Sequence, residues 1–137
     1  MKRLVKVLAV KEEEIVLIEQ FRKQLNRNTV ELPGGKIESG ETPTEAAKRE
    51  LREETGIIAD EFSSLRSYIN NDGTVEVNLF FTNKIERVEE QKLDHDESIV
   101  VQHYPSQLVL ENIFTNKWDD IRLGIAFLIA RKNGLLR

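Results

Sequence analysis

Residues 33–57 read PGGKIESGETPTEAAKRELREETGI, and the rest of the chain is interpreted outward from this stretch. Pro33, Gly34 and Gly35 interrupt the strand-like run from Thr29 to Leu32 and force the backbone to turn. Thr42 then offers a side-chain oxygen as a helix cap. Pro43 suits the first helical position because it has no N–H to lose, Glu45 completes a capping box, and Gly56 supplies a stop. A helix over 43–55 is therefore predicted. On a wheel of about 100° per residue, Ala47 and Leu51 form its apolar stripe, while Glu45, Lys48, Arg49 and Arg52 occupy the far, solvent-facing side.

Glu50, Glu53 and Glu54 fall elsewhere, within an arc of about 100° whose edge touches the apolar stripe. Glu50 makes like-charge pairs with Glu53 and Glu54 at i,i+3 and i,i+4, each costing about 0.2–0.5 kcal/mol. A bound cation reverses that sign. Magnesium and manganese take oxygen ligands and leave positions open to water and phosphate, which suits such a cluster. A charged helix neutralised by Arg49 and Arg52 is the plainer alternative.

Leu4 to Val10 and Ile15 to Glu19 read as a β-hairpin around the charged turn Lys11 to Glu14. A polar segment, Arg22 to Asn28, leads to Thr29 to Leu32. Phe62 to Ile69 and Val75 to Thr82 form a second predicted hairpin, turning at Asn70 to Gly73. Lys84 to Glu97 is strongly charged, Ser98 to His103 is a further strand, and Pro105 starts a short helix. A last helix follows from apolar residues at 118, 121, 125, 128 and 129, the stripe expected to pack on the sheet. This order implies an α/β protein with a mixed sheet and helices on its faces.

The 137 residues, 39% apolar and 32% charged, have the size and balance of one domain. No cysteine is present, which excludes a disulfide scaffold, a thiolate metal site and a cysteine nucleophile. A net charge of −4 argues against a general nucleic-acid or anionic-membrane binder, so an anionic substrate needs local cations. The basic, apolar opening is cut by Lys6 and ends at Lys11 to Glu14, so neither a signal peptide nor a membrane span is expected, and a cytoplasmic setting follows.

Gly35, Glu41, Arg49 Glu50 Leu51, Glu53 Glu54 and Gly56 Ile57 match G-x5-E-x7-R-E-U-x-E-E-x-G-U at every specified position. This 23-residue stretch resembles the Nudix box. Seven fixed letters and two apolar ones coincide by chance at roughly one start in 10⁸. The resemblance implies a Nudix hydrolase domain over 1–137, an α/β/α sandwich with a mixed central sheet, and metal-dependent hydrolysis of a nucleoside diphosphate linked to another group. It also implies roles for particular residues. Glu50 and Glu54 bind Mg2+ or Mn2+, Glu53 shares in metal binding, and the Gly34 carbonyl is a further ligand. Arg49 orients the glutamates, and Glu41 positions the loop or reaches a water beyond the ligands.

Glu19 Gln20 Phe21 Arg22 and Glu31 Leu32 Pro33 Gly34 Gly35 resemble segments of the ADP-ribose and ADP-sugar pyrophosphatase branch, as do Asp96 Glu97 Ser98 Ile99. Within that branch Arg22 contacts a phosphate or sugar edge, Glu31 contacts a ribose or holds the loop, and Glu97, with Asp96 as the alternative, is the general base. Two features depart from the branch: no proline occurs between Pro43 and Pro105, and no extra N-terminal sheet precedes the box. A MutT-like nucleoside triphosphate hydrolase is therefore carried as an alternative, and a non-catalytic nucleotide sensor as another. A small-molecule nucleotide substrate and a homodimer are the partners expected.

Overall fold

The computed structural model describes residues 1–137. β1 (Lys2–Lys11) and β2 (Glu14–Arg22) form the first predicted hairpin. Its tip is Glu12 and Glu13, at φ of 51° and 68°. Two successive left-handed residues give the turn whose twist matches the strands it joins. β3 (Arg27–Glu31) and β4 (Gly34–Lys36) follow, then α1 (Pro43–Thr55) and β5 (Ile57–Ala59). β6 (Ser63–Ile69) and β7 (Val75–Thr82) are the second hairpin. β8 (Ile85–Val88), β9 (Ile99–Pro105), α2 (Ser106–Phe114) and α3 (Ile121–Lys132) complete the chain.

The main sheet has the order β3-β2-β1-β7-β6, with β4 added to β1 and β9 to β2. β1 and β7 run parallel and the other pairs are antiparallel, so the sheet is mixed as expected. β1 meets β2 only at its far end, Ala9 to Lys11, and meets β4 at its start, Leu4 to Lys6. The sheet thus splits between β1 and β2, and the glycine-rich segment enters the split. Alternation along β1 sends Val5, Val7 and Ala9 to one face, where Ala46, Ala47 and Leu51 of α1 cover them. Leu8 points to the other face, packed with Val109 of α2 and Leu123, Ala126, Phe127 and Ala130 of α3. The layers are helix, sheet, helix.

Four expectations are corrected. Gly34 to Lys36 is a strand on β1 as well as the exit from a turn, because β1 still has backbone groups to satisfy there: Val7 N–H donates to Pro33 O at 2.9 Å and Ile37 N–H to Arg3 O at 2.9 Å. β5 and β8 pair as a separate ribbon whose strands of three and four residues are too short to show a period. Pro105 caps α2 from outside instead of opening it. The last helix packs on the sheet as expected, with Trp118 buried and Ile125 against the core, but two of the positions chosen for its stripe point outward. Ile121 and Leu128 are 74% and 68% exposed, and the inward face is Leu123, Ala126, Phe127 and Ala130. α3 is apolar nearly all round, so periodicity alone does not select a face.

Gly56 closes α1 at φ 79°, donating its N–H to Arg52 O at 2.8 Å. A Cβ there would lie 1.9 Å from Glu89 O, while Glu89 N–H donates to Gly56 O at 2.7 Å. Only glycine permits both the left-handed stop and this backbone approach. Gly56→Ala is expected to destabilise the protein by more than about 1 kcal/mol, measured by urea unfolding. An unchanged midpoint would show that the exit from β8 is free to move aside.

Candidate active site

The capping box predicted for α1 is formed: Glu45 N–H donates to Thr42 Oγ1 at 3.1 Å, and Thr42 N–H to Glu45 Oε1 at 2.8 Å. Burial of Ala46, Ala47 and Leu51 fixes the rotation of the helix, and that rotation carries Glu50 and Glu54 to the loop between β3 and β4. Glu54 is buried and accepts the Gly34 N–H at 2.7 Å. Glu50 lies beneath Gly35. A Cβ on Gly35 would come within 2.5 Å of Glu50 Oε1, so any larger residue there would push the carboxylate aside.

Arg49 does not face solvent as the helical wheel placed it. Its long side chain folds back over the rim: Nε and Nη2 donate to Glu41 at 2.6 and 2.9 Å, and Nη1 donates to Glu50 at 2.9 Å and Glu53 at 3.2 Å. Nη2 also donates to Lys36 O at 3.0 Å. One guanidinium thereby joins the loop, Glu41 and two of the three glutamates, the orienting part given to it above. Glu41 in turn accepts the Glu38 N–H at 2.9 Å, which holds the loop.

These carboxylates lack enough positive charge. Burial pushes Glu54 up to about 7; the Gly34 N–H and Lys6 oppose the rise, and Glu50 and Glu97 add to it. Glu50 is raised too, by burial first, against the pull of Arg49 and with repulsion from Glu53 and Glu97. Glu53 is turned to Arg49, and no three acidic or imidazole side chains converge on one point as they stand. The side chains that α1 brings toward the loop are nonetheless all carboxylates, hard oxygen donors of the kind that Mg2+ and Mn2+ take.

Arg22 and Glu31 are brought together, but onto each other. Arg22 Nε and Nη2 grip the Glu31 carboxylate at 2.8 Å each. Lys6 Nζ reaches Glu31 Oε1 at 3.4 Å and Leu32 O at 3.2 Å, and the Thr29 hydroxyl donates to Glu31 Oε2. Burial would raise the Glu31 carboxyl, but these donors outweigh it and hold it at about 2. The Glu31 carboxylate is thus bonded to side chains of β1, β2 and β3. Asp120, at the N-terminus of α3, keeps Oδ2 buried without a partner beside this cluster. Sequence reasoning missed Lys6 and Asp120. A lysine inside an apolar strand was the available signal for Lys6, whereas Asp120 stood out only as one more acid before a helix.

Glu97 lies close enough for its charge to act on Glu50 and Glu54, although its Oε1 accepts the Asp94 N–H at 2.9 Å. Asp96 is exposed on the same loop.

A family model described as the NUDIX domain matches residues 2–120. The chain belongs to the NUDIX family. Nudix hydrolases in general need a divalent metal. The chain is similar to an ADP-ribose pyrophosphatase of Bacillus subtilis, 35% identical over 126 residues that cover 89% of this chain and 68% of that one. It is also similar to the 8-oxo-dGTP diphosphatase of Escherichia coli, 61% identical over 36 residues, 26% of this chain and 28% of that one. Among solved structures, one of an ADP compounds hydrolase superposes with a TM-score of 0.85 at 20% identity, covering 96% of this chain and 71% of that one. This Nudix fold is the α/β/α arrangement described above.

Because Glu54 keeps its proton to about 7 in the folded protein and its ordinary value is 4.5, the metal-free fold loses stability as pH rises from about 4.5 to about 7 and levels off above. Glu54→Gln, which still accepts the Gly34 N–H, is expected to flatten that slope and to raise metal-free stability at pH 8 by up to about 3 kcal/mol, leaving pH 4 unchanged. Urea unfolding at both pH values in EDTA checks it. Destabilisation at pH 8 would mean that the carboxylate is already compensated.

Proposed function

We propose that this chain hydrolyses the pyrophosphate bond of a nucleoside diphosphate derivative, an ADP-sugar such as ADP-ribose, to AMP and a sugar phosphate. The observation that carries it is the crowded, under-neutralised carboxylate cluster of α1 pressed against the Gly34 and Gly35 loop. The B. subtilis relative named an ADP-ribose pyrophosphatase supports the choice of substrate, since its similarity spans 89% of the chain.

Glu50, Glu54 and the Gly34 carbonyl would hold Mg2+ or Mn2+, with Glu53 joining by exchanging its bond to Arg49 for the ion. When bound, the metal supplies charge neutralisation at the phosphates and a more acidic water. Arg49 keeps Glu50 in place through its fork to Glu41. Glu97, whose charge acts on Glu50 and Glu54 from an exposed loop, takes the proton as water attacks phosphorus and the bridging oxygen leaves. Asp96 is the second candidate for that proton, and Glu53 the third. Glu31 is fully engaged by Arg22, Lys6 and Thr29, and it shapes the wall of the site. Arg22, whose side chain stays 40% exposed, turns the remaining edge of its guanidinium to a substrate phosphate. Under this proposal residues 1–137 act as a single Nudix hydrolase domain on a small molecule, as a homodimer in the cytoplasm, with no nucleic-acid partner. No helix is long and apolar enough to cross a membrane.

A second activity, cleavage of a nucleoside triphosphate to the monophosphate and pyrophosphate, has one observation in its favour: the 61% identity with the E. coli 8-oxo-dGTP diphosphatase. That likeness is confined to 36 residues. Incubating the protein with Mg2+ or Mn2+ and a panel of ADP-ribose, other nucleotide sugars, dinucleoside polyphosphates, NADH and nucleoside triphosphates separates the two. AMP and ribose 5-phosphate from ADP-ribose are the expected products. Preference for a triphosphate, with inorganic pyrophosphate released, would overturn the assignment, and no turnover of any compound would leave a nucleotide sensor.

A further inference from the structure

A helix ends with carbonyls that have no partner within it. At the end of α1 two of them, and the carbonyl of Gly56 that follows, are taken by one short segment. Lys92 N–H donates to Glu53 O at 2.8 Å, Gln91 Nε2 to Glu54 O at 2.6 Å, and Glu89 N–H to Gly56 O at 2.7 Å. Two of these donors are backbone, which nearly any residue provides. The third is a side chain, and its amide also donates to Ile99 O at 3.1 Å, at the first residue of β9. Gln91 therefore bridges the helix and both ends of the loop 92–98. Within that loop Glu97 and Asp94 bond to each other, Glu97 N–H to Asp94 O at 2.9 Å and Asp94 N–H to Glu97 Oε1 at 2.9 Å. The excursion is a small closed turn: the Lys92 N–H ties its start to α1, and the Gln91 amide joins that start to its end at Ile99.

We propose that Gln91 is a positioning residue for Glu97: by tying the neck of the loop to the backbone of Glu54, it fixes where Glu97 stands relative to the carboxylates of α1. This rests on Glu97 acting as the base. Both partners of Gln91 are carbonyl oxygens, so the position needs a side chain with two hydrogens to donate; a carboxylate of the same size would repel both. The loop itself is exposed, and only the Gln91 amide reaches both α1 and the start of β9.

The test uses Gln91→Leu, Gln91→Glu, Glu97→Gln and the double variant Gln91→Leu with Glu97→Gln. ADP-ribose hydrolysis with Mg2+ is followed by kcat and KM, and hydrogen exchange is measured on the metal-free proteins. Gln91→Leu and Gln91→Glu are each expected to lower kcat about tenfold with KM within about twofold, and to speed exchange in residues 92–98 while α1 stays protected. In the Glu97→Gln background Gln91→Leu is expected to cost nothing more, because the residue it positions no longer works. Unchanged loop exchange, or an equal loss of kcat in both backgrounds, overturns the inference while the activity stands. Glu97→Gln at full kcat removes the assignment of the base and this inference with it.

Discussion

The loop at Gly34 and Gly35 lies directly on the carboxylates of Glu54 and Glu50, and the rest of the molecule is arranged around that contact. Buried like charges repel, so the contact exists only because other interactions hold it. The capping box fixes where α1 begins, Ala46, Ala47 and Leu51 fix its rotation against β1, and pairing with β1 holds β4 in the split of the sheet. What opposes the charge of both carboxylates is first their burial, and under the proposed function a divalent cation would offset it. Under that proposal, stability given up in the metal-free state would be recovered on binding.

Glu31 and Glu54 show how environment alone separates identical side chains. Each is buried. Glu31 receives two hydrogen bonds from Arg22, a contact from Lys6 and a hydroxyl, and stays ionised to about 2. Glu54 receives one backbone N–H, has Lys6 as its attractive charge, and rises to about 7. Lys6 acts on both, so the buried lysine of β1 links the fully paired carboxylate to the one proposed to bind metal. The first glutamate is spent on architecture and the second is left available for chemistry.

The elements read most directly from the sequence are those with local chemical signals. Thr42, Pro43, Glu45 and Gly56 place α1 at 43–55, as observed, and turn residues locate both hairpins. The spacing of Glu50, Glu53 and Glu54 likewise survives folding, since a helix converts sequence interval into direction. What was not legible depends on reach or on tertiary contact. Arg49 belongs by angle to the outer face, but its length brings the guanidinium back over the rim. α3 has apolar residues on every side, so only the sheet selects Leu123, Ala126, Phe127 and Ala130. Lys6 and Gln91 owe their importance to partners 25 or more positions away, which no local pattern records.

The central claim is that the cluster on α1 is built for a divalent cation, and the most direct measurement is a crystal grown with Mn2+ and read by anomalous scattering. A peak is expected within about 2.0–2.3 Å of carboxylate oxygens of Glu50 and Glu54, beside the Gly34 carbonyl, with Glu53 turned away from Arg49. Mn2+ bound elsewhere, with Glu54 still holding only the Gly34 N–H and Glu53 still on Arg49, would contradict it.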